Sequence, residues 1–331
     1  MKCIASLILV TLSCVASVLA RKEIGRYSNG YNYKIYDDGK ATLVGTYYDN
    51  ISEAKIPAYI TFNNKQYPVS EVDENAFKGR QIAAVSIDAK NTGILIKKNA
   101  FNGIKGLKAF YMYSSYVDVE VDGFSGVGIN VQFQGSGLQN ALEKYCQRYL
   151  KSWSLPIGKN YSYTSEETKM RDLFTLAKNM RKNFGNDKIA YPDNAANVAF
   201  LGAGSKDGYA RLYRIMAMVM GFKYEKILVG CDTMYYCWNY VMLNDTERTW
   251  KVVYALKSIA DHTIYNSSYF TTEADFIKNT LKPFYGTTID PHKFIVHNTR
   301  INYPGESKYD YLNDENFDDW LKRNNGGKRT L

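Results

Sequence analysis

An α+β fold in two parts is predicted for this chain: a short repeat solenoid, then a domain of helices packed on a small antiparallel sheet. Two observations carry that expectation. A motif built around Phe77, Phe101 and Phe124 recurs at intervals of 24 and 23 residues. Farther on, between Gly204 and Leu256, a Gly-rich turn feeds an apolar helix that is followed by three strand-like runs. Composition agrees with a folded chain: 45% of residues are hydrophobic and 15% aromatic, well above the content of disordered segments. A length of 331 residues leaves room for about two domains.

Residues 1–20, MKCIASLILVTLSCVASVLA, combine one basic residue, an apolar run and small residues at Val18 and Ala20. That is the pattern of a secretory signal peptide cleaved before Arg21. A lipoprotein signal would need small residues before Cys14; Ser13 fits and Leu12 does not. No later stretch approaches the ~20 apolar residues of a membrane span, so the expected location is secreted, extracellular or at a cell surface. Loss of Lys2 takes the formal charge from +9 to +8. The cations are dispersed, with pairs such as Lys97–Lys98 and no long basic run. Contact of a positive exported chain with anionic glycans, lipids or cell-wall polymers is the lesser reading, dispersed surface charge the favoured one, and no nucleic-acid partner is expected.

The first part is expected over residues 21–153. It opens with a strand, an Asp37-Asp-Gly-Lys turn and a second strand, a β-hairpin cap. The repeats follow: Asn75-Ala-Phe-Lys-Gly79, Asn99-Ala-Phe-Asn-Gly103 and Asp122-Gly-Phe-Ser-Gly126. Val72, Ile96 and Val119 each lie five residues before the Phe, and β-like runs Ala84–Ile87, Ala109–Met112 and Val131–Phe133 come after it. One coil per repeat with a stacked Phe ladder inside buries a core that a single repeat cannot form. With Ile56-Pro-Ala-Tyr-Ile60 and Tyr67-Pro-Val-Ser-Glu-Val-Asp-Glu-Asn-Ala-Phe77, the region resembles the BspA-type leucine-rich repeat. Gly123 in place of Ala makes the third copy weaker. The resemblance implies a surface protein associated with adhesion; a three-repeat block serving only as a scaffold remains the alternative. Leu138–Trp153 is expected as a closing helix.

The second part is expected over residues 154–331. Thr164-Ser-Glu-Glu167 reads as a capping box opening a helix that buries Met170, Leu173, Phe174, Ala177 and Met180 and ends at Gly185. A helix from about Asp207 to Met220 is apolar around most of its circumference and stops at Gly221. Tyr224–Val229, Tyr235–Leu243 and Trp250–Leu256 suit strands. Beyond them Thr272 reads as a helix start with Pro283 as its end, Phe294–Val296 as a strand, Asp314–Arg323 as a short helix and 324–331 as a frayed tail.

The order of helix, strand and strand, with Gly204, Gly208, Tyr209 and Ala210, then Trp238 and Asn239, then Trp250 and Val253, resembles the transglutaminase-like core of the papain-type superfamily. That family carries Cys in the turn, His on one strand and Asp on the next. The matching positions here hold Lys206, Tyr236 and Tyr254, so the resemblance rests on framework residues alone. Thiolate attack needs a helix N-terminus and a His base, whereas Lys and Tyr titrate near pH 10 when unperturbed. No catalytic residue is therefore expected, and a nucleophilic deprotonated Lys206 is the lesser reading. The resemblance implies an exported binding or adhesion protein, a pseudoenzyme that grips a protein, peptide or glycan in a cleft lined by Lys206, Tyr209, Tyr236, Trp238 and Tyr254. Tyrosines that merely fill the vacated space are the alternative for the trio. An active cysteine-dependent protease, amidase or transglutaminase-type enzyme using Cys237 or Cys231 is the alternative for the whole chain.

Cys231 and Cys237 are candidates to pair across a hairpin, leaving Cys146 a buried thiol. His262, His292 and His297 lack zinc-ligand spacing, and no metal or cofactor is expected. A slipped register would make His262, beside Asp261, a base; an ordinary surface pair is favoured. Asn50, Asn160, Asn244 and Asn266 head glycosylation tripeptides, used only in a eukaryotic secretory route.

Overall fold

The computed structural model describes residues 21–88, 92–114, 116–185, 194–232, 234, 236–255, 269–285, 289–297, 314–324 and 327–329. The expected signal peptide, the Asn266 sequon and Asp261–His262 lie outside the described residues. Among the described residues no helix is long and apolar enough to cross a membrane.

Strands β1 (Glu23–Asn29), β2 (Tyr31–Tyr36) and β3 (Ala41–Thr46) form an antiparallel meander. The Asp-Gly turn joins β2 to β3, with Gly39 at φ 80°. β1 is an edge strand of mostly exposed residues, without the alternation that would mark it in the sequence. Then come β4 (Ile51–Ile56), β5 (Tyr59–Phe62), β6 (Lys65–Val72), β7 (Ile82–Ile87), β8 (Ile94–Ile96), β9 (Ala109–Met112), β10 (Val117–Val119) and β11 (Gln132–Gln134). β4, β7, β9 and β11 pair in parallel as one side of a solenoid. β6, β8 and β10 form the other side, and β3 joins β6 in parallel, so the meander is fused to the repeats as a cap.

The repeat motif makes the corner of each coil. Asn75, Asn99 and Asp122 adopt left-handed φ of 59°, 56° and 64°, which Asn and Asp tolerate better than other side chains. Phe77 and Phe101 stack at 4.9 Å between centroids, and Phe101 and Phe124 at 5.5 Å with planes 8° apart. Corner bonds to corner through Phe77 N to Ala100 O, 3.1 Å, and Asn99 N to Asp122 O, 3.0 Å. The weaker third copy has a steric reason: a Cβ at Gly123 would stand 2.8 Å from Val119 Cγ1 and 3.1 Å from Glu120 O.

Helix α1 (Leu138–Ser152) closes the solenoid. α2 (Glu166–Asn183) starts one residue later than a Thr164 box implies: its N-cap is Ser165, whose Oγ accepts from Thr168 N. α3 (Ala195–Leu201) and α4 (Lys206–Met220) follow, and Gly221 ends α4 at φ 119°. The ladder does not stop at the repeats. Phe200 of α3 lies 5.3 Å from Phe124 and 5.1 Å from Phe133, and Asn197 Nδ2 donates to Val131 O at 2.7 Å. One hydrophobic core thus runs from the meander through the solenoid into the helices.

β12 (Ile227–Cys231), β13 (Cys237–Met242) and β14 (Trp250–Val253) are the three expected strands, and residues 224–226 form a 3₁₀ turn before them. The helical segment α5 (Glu273–Phe276) runs through a π-type turn into α6 (Lys282–Tyr285). Pro283 does not end this helix, because the wide turn has already disrupted the regular i→i−4 pattern that a proline would break. β15 (Ile295–His297) and β16 (Asp314–Asn316) extend the antiparallel sheet in the order β14-β13-β12-β15-β16, and α7 (Phe317–Asn324) follows. One face of the sheet buries Trp238, Tyr240, Trp250, Phe294 and Phe317 as a second core.

The described end of the chain is not frayed. Arg329 donates to both carboxylate oxygens of Glu273 at 2.7 and 2.6 Å and to Asp318 at 2.6 Å. The side chains of Arg329 and Glu273 are 4% and 1% exposed. A buried ion pair this distant in sequence leaves no local signal.

Candidate functional site

The start of α4, the β12–β13 hairpin and the end of β14 bring Lys206, Tyr236 and Tyr254 together. Ser205 caps α4, its Oγ accepting from Gly208 N at 3.3 Å, and so fixes Lys206 as the first helical residue. Lys206 Nζ lies 3.5 Å from the centroid of the Tyr236 ring, a cation–π contact. Tyr236 and Tyr254 face each other at 5.4 Å between centroids and share a side-chain hydrogen bond. Lys206, Tyr236 and Tyr254 therefore form one stack.

The framework holds this stack from behind. Asn239 Nδ2 donates to Ala210 O at 2.9 Å and Leu228 O at 3.3 Å, tying β13 to α4 and β12. Of the expected cleft residues only Tyr254 lines an open cleft; Tyr236 is itself buried, at 6% exposure, and two more belong wholly to the interior. Tyr209 and Trp238 are 0% exposed, and the Tyr209 hydroxyl donates to the Phe184 and Met180 carbonyls. They support the site and line no open surface; a turn-plus-helix pattern does not reveal which aromatic faces inward.

Two residues join the stack without having been expected. Asp232 is buried and accepts at one oxygen from Met234 N and Tyr236 N, both 2.9 Å, which sets the hairpin turn. Tyr285 hydrogen-bonds the same carboxylate and lies edge-on to Tyr236 at 6.2 Å. The signal for Asp232 was an aspartate directly after a strand; Tyr285, 53 positions on from it, had none. Tyr254 also forms a wall of a cleft of about 410 Å³, with Tyr269, Phe270 and Phe276 as apolar lining and Lys251 and Asp275 as charged lining.

Burial dominates the electrostatics of the stack. Burial lowers the pKa of Lys206 more than the Asp232 charge raises it. Burial also raises the phenols of Tyr236 and Tyr254, so both stay protonated near neutrality. Cys231 and Cys237 are paired residues of β12 and β13 and are joined by a disulfide. That bond consumes the thiol that attack by either cysteine would require. Cys146 is buried, and burial pushes its thiol far above the ordinary range. Asp207 lies within 4.8 Å of both disulfide sulfurs, but bonded sulfurs offer no thiolate to a metal, and Asp207 is engaged by Arg211 at 2.8 Å.

His292 is exposed and meets Asp318 at 2.7 Å. For His297 only the backbone, in β15, is described. Among the sequons, Asn50 and Asn160 are exposed and Asn244 is half-buried. The side chains of Asn160 and Asn244 accept from the backbone N–H two residues on.

No family model matches the sequence, and no curated protein matches it. Solved structures do. A leucine-rich cell surface protein from Faecalibacterium prausnitzii is 18% identical, over 34% of this chain and 30% of that one, with a TM-score of 0.28. A leucine-rich repeat protein from Bacteroides capillosus is 24% identical, over 33% of this chain and 99% of that one, with a TM-score of 0.24. One from Bacteroides ovatus is 17% identical over 34% and 36% of the two chains, at 0.18. The chain thus spans about a third of the first of these proteins.

Proposed function

We propose that this is an exported surface protein whose second part binds a peptide or glycan, on a transglutaminase-like framework from which the catalytic groups have been replaced. The observation that carries this reading is the convergence of Lys206, Tyr236 and Tyr254 beside an open cleft. Lys206, Tyr254 and a mixed apolar and polar lining, with the buried Tyr236 stacked against both, suit stacking and hydrogen bonding to a chain ligand. They offer no nucleophile–base pair. The solenoid is the mount for this site, and repeats of this kind on surface proteins fit an adhesive role.

The experiment is a screen of the full chain on peptide and glycan arrays, followed by titration of each hit against Tyr254→Ala and Lys206→Met. Loss of binding in both variants is expected. Thiol-dependent transamidation or peptide hydrolysis by the wild-type chain, abolished by iodoacetamide, would sink the reading.

A further inference from the structure

A second concave surface shares no lining residue with the Tyr254 cleft. It is a groove of about 650 Å³ lined by Lys223, Lys226, Arg248 and Arg323, with Glu225 as its carboxylate and Tyr224, Trp320 and Asn324 among its other residues. It shares Lys223, Lys226 and Met242 with a small neighbouring hollow that Lys169 also lines. Three separate stretches of chain thus send cations to one groove.

The groove rests on a buried support. Arg214 is fully buried at 0% exposure, and its guanidinium donates to Ile227 O at 2.6 Å and Tyr224 O at 3.1 Å. That clamp fixes the turn carrying Lys223 to Lys226. Arg248 holds a left-handed φ of 51°; its N–H donates to Asn244 O at 3.1 Å, and its carbonyl accepts from Lys328 N at 2.9 Å. Lys226 meets Asp245, and Arg323 meets Glu315. An ammonium with three donors and a guanidinium with five keep N–H groups to offer after one such contact.

We infer that this groove binds a short acidic oligosaccharide, its carboxylate or sulfate held by Lys223, Arg248 and Arg323 and a sugar face laid on Tyr224. Charge complementarity gives the anion. Glu225, Asn324 and the half-exposed Tyr224 give acceptors and a ring for sugar hydroxyls and C–H groups. Glu225 in the lining, with Asp245 and Glu315 close by, makes the positive excess small. That suits a ligand with few charges better than the dense phosphates of a nucleic acid.

The test is calorimetric titration of the full chain with a heparin hexasaccharide, a galacturonate hexamer and neutral cellohexaose. Binding of either acidic sugar and not the neutral one is expected, weakening as NaCl rises. The preferred arm distinguishes sulfate from carboxylate. Lys223→Gln and Arg248→Gln should each weaken binding about tenfold, the loss of one charge-assisted hydrogen bond, with the unfolding midpoint unchanged. Lys97→Gln/Lys98→Gln on the solenoid should leave it as it was. Tyr254→Ala should too, which separates this groove from the cleft proposed above. Equal losses from the solenoid pair, equal binding of cellohexaose, tighter binding of a short single-stranded DNA, or no binding to either acidic sugar would each overturn the proposal.

Discussion

The Lys206 ammonium sits over the face of Tyr236, 3.5 Å from the ring centroid, at the first turn of α4. A cation at a helix N-terminus opposes the helix dipole, and the ring face offsets part of that cost. Because burial lowers its pKa, Lys206 should titrate below the ordinary lysine value. In spectra of the chain reductively methylated with ¹³C, the dimethyl-lysine resonance that vanishes in Lys206→Gln should have a midpoint below that value. The sign of the stability effect follows. A depressed lysine is costly to the fold while protonated, and that cost is relieved as pH rises through the folded pKa. Lys206→Met should therefore gain relative to wild type below that pKa and lose the advantage in alkali.

Removal of the Arg329 side chain leaves Glu273 and the Tyr240 hydroxyl, which bonds to the same carboxylate, inside the second core without their cation. Arg329→Ala should cost about 3–5 kcal/mol in urea unfolding, the usual effect of stranding a buried charge. Asp318 adds a pH term. Burial pushes its carboxyl up, but hydrogen bonds from His292 and Arg329 outweigh that and hold it below its ordinary value. Its contribution is full above the unfolded pKa and is lost as pH falls through the lower folded one. Acid sensitivity should therefore be blunted in Asp318→Asn.

The Cys231–Cys237 bond closes a hairpin with a sequence separation of 6. A loop this short is worth about 2 kcal/mol in the chain-entropy view. Unfolding with and without reductant should differ by that amount. Iodoacetamide should label none of Cys146, Cys231 and Cys237 in the native unreduced chain; labelling of either hairpin cysteine there would contradict the bond.

Phe200→Ala should cost about 3–5 kcal/mol, as large aromatic truncations in a core do. Since the ring touches Phe124, Phe133 and Tyr145, the loss should appear in the melting of solenoid and helices together. Two separated transitions in wild type would refute a shared core.

The repeats were legible because their information is local. An Asn or Asp that tolerates left-handed φ, a Phe and a closing Gly stand within five residues, and each copy meets only the next. The Lys206–Tyr236–Tyr254 stack was legible through its framework, since Gly208, Asn239 and Trp250 mark a helix start and two strands. What failed was anything needing a third dimension. Tyr209 and Tyr236 look alike in sequence, yet one is walled in by Phe184 and the other meets Lys206. Arg329 in a polar tail, and Lys223, Arg248 and Arg323 in separate segments, carry no sign of their partners. Ser165 rather than Thr164 caps α2 because both are good caps, and only the backbone chooses.

The ring of Phe200 against Phe124 closes one end of the ladder, and Tyr31 of the meander meets Phe77 at the other. A coil added after Phe124 would have to re-create, on its own outer side, the seat that Phe200 and Asn197 now fill, and one added ahead of Phe77 would have to keep the seat of Tyr31 and the β3–β6 pairing. Lengthening of this protein by duplication is therefore open only inside the ladder, where corner meets like corner, and exchange of the second part for another module would require a replacement that brings its own aromatic plug.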